Sequence, residues 1–294
     1  MHDQSAQTTP EVEALYARSL LDIGIPPRPI ILDLLAREME REEPDFGAIA
    51  RHVAEDVSLS AGLIKTVNSP FFGLRTRART VPQALALLGI RTAAKAIAGV
   101  ALRNAFPASP NLERFWDSSA RIAEYSGHLV EILGVAKGIR GEDAHTFGLF
   151  RDCGMPVLMR KFPDYRQTLA RANADPQRRF TVVEDEAYPT NHAIVGCMLA
   201  QSWSLPEEIC LAIRHHHDFL LMQTGAASLP PASRRLIALA QAAEYVHQSN
   251  SGLNQTQEWR KLGPACLQAL DVAEQDLENL GMQVMGLHDG SAER

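Results

Sequence analysis

The apolar residues of this chain return every three or four positions and almost nowhere every second one, which commits its long segments to helix. After Pro29, the set Ile30, Ile31, Leu34, Leu35 and Met39 keeps a helical period and stops before Pro44. Asp45 is placed to cap a second helix with Phe46, Ile49, Ala50 and Val53 along one stripe. A third carries Leu59, Leu63, Ile64 and Val67 and ends at Asn68-Ser69-Pro70. Thr80-Val81-Pro82-Gln83 has capping-box spacing, with the proline in the tolerant first turn. The helix it opens carries Leu85 and Leu88 and stops at Gly89; the next runs from Thr92 towards Phe106. The short β-like run Phe180-Thr181-Val182-Val183 leads straight into acidic residues. The expected fold is all-α, a two-lobed helical bundle.

Pro107 and Pro110 punctuate the best boundary between the lobes, and a long amphipathic stretch follows from Leu112 to Leu133. Next come a helix over Ala144–Phe150, a break at Gly154-Met155-Pro156 and a short segment to Phe162. Thr181 and Glu184 have the spacing of another capping box. Helices are expected over His192–Trp203, from Leu205-Pro206-Glu207 onward, and over about 233–247, 257–270 and 274–285, with loops at 218–232 and in the last ten residues. The division is therefore a tail or short helix over 1–19, an N-terminal helical lobe over 20–108, a second lobe over 109–250, and a C-terminal helical extension over 251–294.

Composition narrows the class. Of 294 residues, 46% are hydrophobic and 22% charged, which suits a globular core. Lys and Arg number 29 against 35 Asp and Glu, a net charge of −6 that speaks against nonspecific binding to nucleic acid or anionic membrane. No apolar run approaches the ~18–20 residues of a membrane span, and the N-terminus has no secretory pattern. Cys153, Cys197, Cys210 and Cys266 form no CxxC pair and read as reduced, mostly buried thiols of a cytosolic protein. No GxSxG serine, cysteine signature or Gly-rich phosphate loop marks nucleophilic catalysis.

Three local patterns carry polar chemistry: Gly148–Gly154, Asn191–Gly196, and Ile213-Arg214-His215-His216-His217-Asp218. Imidazoles near a carboxylate are ligands for zinc, manganese or iron. Successive helical residues diverge by about 100°, so His215, His216 and His217 cannot all face one ion from within a helix. The alternative is one core histidine with its neighbours solvated. Asn68, Ser69, Phe71 and Phe72 form a second constellation: polar caps followed by two aromatics, expected at the lobe junction with at least one ring buried against the second lobe. Arg75, Arg77 and Arg79, with Arg91, Lys95 and Arg103 nearby, are either a phosphate-binding patch or a solvated loop. Trp203 and Trp259 read as packing anchors rather than a ligand cage.

Several ordered segments resemble the HDOD group, helical output domains related to the HD-type metal phosphohydrolases. They are Ile25-Pro26-Pro27-Arg28-Pro29, Ile49–Leu59, Leu63–Gly73 with its Asn68-Ser69, Ala84–Gly89, Phe115-Trp116, Gly148–Gly154, His192–Gly196, Trp203–Pro206 and Ile213–His217. The similarity covers about residues 20–250, with Val57 where the group has proline. It implies a bacterial, cytoplasmic protein with an HD-like second lobe.

The resemblance also implies which ligands are missing. The metal positions of HD enzymes fall on Ser118, Arg151, Asp152 and Gln241, so only Asp152 keeps a ligand side chain. His192, His216 and His217 resemble additional histidines of the HD-GYP branch, which hydrolyses cyclic di-GMP. They are left either as neutral, hydrogen-bonded residues at a buried helix junction or as a displaced site completed by Asp152 or Asp218. The expectation is therefore a regulatory module without catalysis, metal or cofactor, binding a protein or a small signalling ligand, with no membrane and no nucleic acid as partner. The segments present include no receiver, cyclase or kinase, so its input is expected in trans. A degenerate metal-dependent phosphohydrolase and a nucleic-acid-binding regulator are the alternatives.

Overall fold

The structure is a computed structural model, and it describes residues 22–107, 109–134, 138–223, 229–252 and 256–292; the expected tail or short helix at 1–19 lies outside them. All regular elements among the described residues are helical. The first group comprises α1 (Ile30–Met39), α2 (Phe46–Glu55), α3 (Val57–Val67) and α4 (Val81–Asn104). The second comprises α5 (Pro110–Ile132), α6 (Gly141–Phe150), α7 (Gly154–Lys161), α8 (Tyr165–Ala174), α9 (Phe180–Asp185), α10 (His192–Ser202), α11 (Glu207–His215), α12 (Phe219–Met222) and α13 (Pro231–Ser251). Last come α14 (Glu258–Leu270) and α15 (Leu277–Ala292).

Local signals set most boundaries. Asp45 accepts from the Ala48 N–H at 2.8 Å and Asp56 from Leu59 at 3.0 Å, each satisfying a donor at a helix start. Thr80 caps α4 by accepting from the Gln83 N–H at 3.4 Å, while the Gln83 side chain accepts from the N–H of Arg79, one residue before the cap, at 2.9 Å. Gly89 interrupts α4 with φ +69° and ψ 166°, so the apolar stripes before and after it face different neighbours. This element corrects one sequence expectation. By length and composition Val81–Asn104 would cross a membrane, yet half of its most apolar window is buried against protein.

Other expectations are corrected too. The break expected at Gly154-Met155-Pro156 falls just before it, at residues 151–153, and Pro156 sits in the first turn of α7, where its missing N–H has no partner to lose. Thr181 lies inside α9, which begins at Phe180, so it is not a cap, and Glu184 is turned to another use. The polar helix α8 carries too weak an apolar stripe to be read from spacing. Asp218 caps α12 within the expected loop, and α15 continues through Ala292.

One hydrophobic cluster runs through both groups, from Ile25 to Val284. The stretch before α1 is strapped across the second group: the Trp203 indole donates to the Pro26 carbonyl at 3.2 Å, Arg28 to the Ser204 hydroxyl at 2.7 Å, and Arg160 to the Gly24 carbonyl. Lys95 pairs with Asp143 at 2.6 Å across the α4–α6 contact. Trp203 is fully buried, while Trp259 stacks on Tyr245. All four cysteines are buried and unpaired.

At the junction the Asn68 amide grips both backbone groups of Ala78 at 2.8 Å, closing the 69–77 loop. Phe71 stacks on His145 of α6 with centroids 4.4 Å apart and lies over Gly127 of α5, where a Cβ would come within 2.1 Å of its ring. Both Phe71 and Phe72 are half-buried rather than enclosed, because this contact lies at the rim of the inter-lobe cleft. The Ser69 hydroxyl faces Glu124 of α5. Burial and the neighbouring His128 push His145 down to about 4, and burial also lowers His128.

Two outcomes follow at this junction. Phe71→Ala lowers the melting temperature by an amount equivalent to about 1–3 kcal/mol, less than the ~3–5 kcal/mol of a fully enclosed ring. His145 is held neutral in the fold while the unfolded chain binds a proton near its ordinary value of 6.5. Its contribution is thus complete above pH 6.5 and is lost as pH falls towards about 4. Thermal melts across that window show a decline that His145→Phe flattens.

Candidate functional site

The C-terminal end of α6 turns directly into α7, and the turn projects Arg151 and Asp152 towards α10 and the end of α11. The approach is close because it is made at glycine: a Cβ on Gly154 would lie 2.1 Å from the His192 carbonyl oxygen and 2.7 Å from the Gly196 nitrogen. Asn191 caps α10 by accepting from the Ile194 N–H at 3.0 Å, which sets His192 at the first helical position, facing inward. Helix α11 ends at His215. His216, the C-cap, keeps right-handed dihedrals (φ −66°, ψ −14°) and His217 follows in a turn, so the 100° divergence of a continuous helix does not keep the two apart.

The result is a convergence of Asp152, His192, His216 and His217, with one ligand atom of each lying within 4.8 Å of the others. His192 Nε2 is 3.2 Å from His216 Nε2 and 3.1 Å from His217 Nε2. Asp152 Oδ1 lies 3.2 Å from His216 Nε2 and 3.5 Å from His192 Nε2. All three imidazoles are buried. Each is anchored at its other nitrogen: His192 Nδ1 to Glu184 at 2.7 Å, His217 Nδ1 to Glu258 at 2.7 Å, and His216 Nδ1 to the Ile213 carbonyl at 2.8 Å. A carboxylate or carbonyl only accepts, so each Nδ1 carries the proton and each Nε2 turns its lone pair inward.

Asp152 divides its carboxylate between two neighbourhoods. Oδ1 faces the imidazoles, while Oδ2 accepts from Arg151 Nε at 2.9 Å. Arg151 reaches on with Nη2 to Glu244 of α13 at 2.6 Å, and Glu244 accepts from the Gln241 amide at 3.0 Å. Arg151, Asp152 and Gln241 are thus brought into one network. Ser118, half-buried on α5, has no hydrogen bond to that network among the described residues. Asp218 is not part of the cluster, because it pairs with Arg179 at 2.8 Å and caps α12. His215 is only half-buried and stands apart.

The electrostatics follow from these contacts. Burial works against the charge on Asp152, but Arg151 and His216 outweigh it and hold the carboxyl well below its usual range. Burial likewise opposes the charge on Arg151, and Asp152 and Glu244 more than restore it. Burial alone would lower His192, and Glu184 reverses the direction to upward. Burial and the neighbouring His216 push His217 down to about 3. Burial would raise Glu258, yet His217 and Lys261 pull it to about 2.

Three carboxylates of this site were not singled out from sequence as site residues. Glu184 also receives the Tyr165 hydroxyl; its spacing from Thr181 resembled a cap, which hid it. Glu244 and Glu258 come from α13 and α14, far from the histidines in sequence, and only the helix faces they occupy could have signalled them. Lys261, one turn after Glu258, pairs with it and donates to the Arg178 carbonyl at 2.9 Å. The expectation of no metal rested on three missing positions. The donors assembled here are a different set, and they fit a divalent ion in type, number and orientation.

Comparison with known proteins bears on the family and the fold. The HDOD domain profile matches residues 25–219, and the chain belongs to the HDOD family. An uncharacterized protein of Treponema pallidum (strain Nichols) is 27% identical over 203 residues, a stretch covering 66% of this chain and 38% of that protein. An HDOD domain protein of unknown function from Geobacter sulfurreducens superposes with a TM-score of 0.60 at 20% identity, covering 94% of this chain and 98% of its own. A protein from Shewanella amazonensis SB2B, provisionally named a phosphohydrolase, gives 0.67 at 20% identity, with 95% and 96% covered. A third, from Marinobacter aquaeolei VT8 and provisionally named a signal transduction protein, gives 0.64 at 17% identity, with 96% and 65% covered. These likenesses show the fold.

Two substitutions test the construction. Gly154→Ala forces α7 away from α10 and costs several kcal/mol, with loss of the His192–His216 contact, readable in imidazole NMR shifts. Arg151→Met leaves Asp152 and Glu244 as unpaired buried acids and destabilises by about 3–5 kcal/mol in denaturant melts at pH 7.

Proposed function

We propose that this chain is a regulatory module that binds a partner or small signalling ligand and hydrolyses nothing. The observation that carries the reading is Arg151. It stands where related hydrolases place a metal-binding histidine, and its guanidinium holds the Asp152 oxygen and the Glu244 carboxylate that a second catalytic cation would need. A catalytic ion requires an open coordination position and an activated water. Here the donors are enclosed by α6, α10, α11 and α14, with Asp152 itself only slightly exposed.

The place for a ligand is the cleft between the lobes, about 560 Å³, lined from one side by Lys65 and Thr66 and from the other by Arg121, Glu124 and His145. A ligand touching both walls favours one lobe arrangement and shifts the population towards it. The phosphohydrolase reading keeps one supporting observation, the imidazole cluster itself. For nucleic acid the support is slight: Lys95 and Arg103 pair with Asp143 and Asp117, although Arg75, Arg77 and Arg79 are exposed.

The test is turnover of cyclic di-GMP, mononucleotides and a generic phosphodiester in the presence of Mn²⁺ or Fe²⁺. No activity above the Asp152→Asn control is expected. Turnover abolished by that substitution would make the phosphohydrolase reading the correct one.

A further inference from the structure

Beneath the question of catalysis lies an unsatisfied geometry. Three Nε2 lone pairs and one carboxylate oxygen face one point, with four of their separations at 3.1, 3.2, 3.2 and 3.5 Å. Ligands around an ion with bonds of about 2.0–2.1 Å stand about 3.3–3.4 Å apart along a tetrahedral edge. A single proton on one imidazole can bridge only one of these contacts and leaves the others as lone pair against lone pair. One cation answers all of them together.

Charge points the same way. Around the imidazoles lie four carboxylates, Asp152, Glu184, Glu244 and Glu258, against the two cations Arg151 and Lys261. With neutral imidazoles the enclosed cluster thus has a formal charge of −2, and the repulsion expected from Arg151 is already absorbed by Glu244. A dication neutralises the remainder. Glu184 and Glu258 also occupy the positions that carboxylates take behind metal-bound histidines, where they fix tautomer and ring orientation.

We propose that Asp152 Oδ1 and the Nε2 atoms of His192, His216 and His217 hold one zinc or ferrous ion, and that this ion fastens the C-terminal helix α14 to the core through His217, Glu258 and Lys261. The fastening reaches outside the matched family segment, since Glu258 lies beyond residues 25–219. It does not depend on whether the module hydrolyses phosphodiesters. The ion is structural: it joins the α6–α7 turn, α10, the end of α11 and α14, four elements with no covalent neighbour in common at that point.

The experiment uses the full chain, purified without chelator from cells grown with zinc and iron. Elemental analysis is expected to give about one zinc or iron per chain. Removal by dipicolinate should lower the melting temperature, and added Zn²⁺ or anaerobic Fe²⁺ should restore it. Cobalt substitution should give a visible ligand-field band without any mutation, which guards against variants that fail to fold. Glu258→Gln should weaken Zn²⁺ binding about 10–100-fold while the helical circular dichroism is kept. Limited proteolysis should release the α14–α15 segment faster from the chelated chain than from the loaded one. A folded chain with under about a tenth of an ion, and no thermal response to either metal, overturns the site. Full metal retention in a His192→Ala/His216→Ala variant overturns it equally. Metal loss that leaves the cleavage pattern of α14 unchanged overturns the fastening.

Discussion

The carboxylate of Asp152 is the point on which the second lobe depends. One oxygen belongs to a guanidinium and the other to a ring of imidazoles, so a single buried charge sets the position of α10, the end of α11 and α13 at once. An isolated buried carboxylate is prohibitive. This one is tolerated because Arg151 adjoins it in the chain and because the end of α6 presents both side chains inward. Every neighbouring charge is then drawn in to match: Glu244 for Arg151, Glu184 for His192, Glu258 for His217, and Lys261 for Glu258. The buried ring of Phe180 lies against both His192 and His217 and helps to exclude the water that would weaken this chain of pairs.

Much of the architecture was legible because helices announce themselves locally. Asp45, and Thr80 with Gln83, act within three residues of where they stand, and periodic leucines and isoleucines mark the buried faces. Where the rules of spacing were applied without tertiary context they failed in interpretable ways. Pro156 resembled a break because proline usually ends helices, yet in a first turn it costs nothing. Val81–Asn104 is apolar enough for a membrane because its two halves, separated at Gly89, each have protein on more than one side.

The site was legible only by parts. His192, His216, His217 and Asp152 were visible as residue types, but the spacing argument that kept the histidines apart presumed a helix that in fact ends at His215. The anchoring carboxylates were invisible for a plainer reason. Glu244 and Glu258 are ordinary glutamates on amphipathic helices, and their burial arises only when α13 and α14 pack against the α6–α7 turn. Residues that act through others carry no short-range signature.

The contact between His217 and Glu258 has a temporal side as well. The two residues are 41 positions apart, and the acceptor lies in a helix that leaves the ribosome after the histidine it serves. Until α14 has been synthesised, His217 is without its acceptor, and the pocket that encloses the imidazoles lacks a wall. Closure of the cluster therefore waits on the synthesis of α14, and on long-range contacts that form slowly compared with the helices themselves. A nascent chain stalled before α14 would hold most of its secondary structure and none of its finished centre.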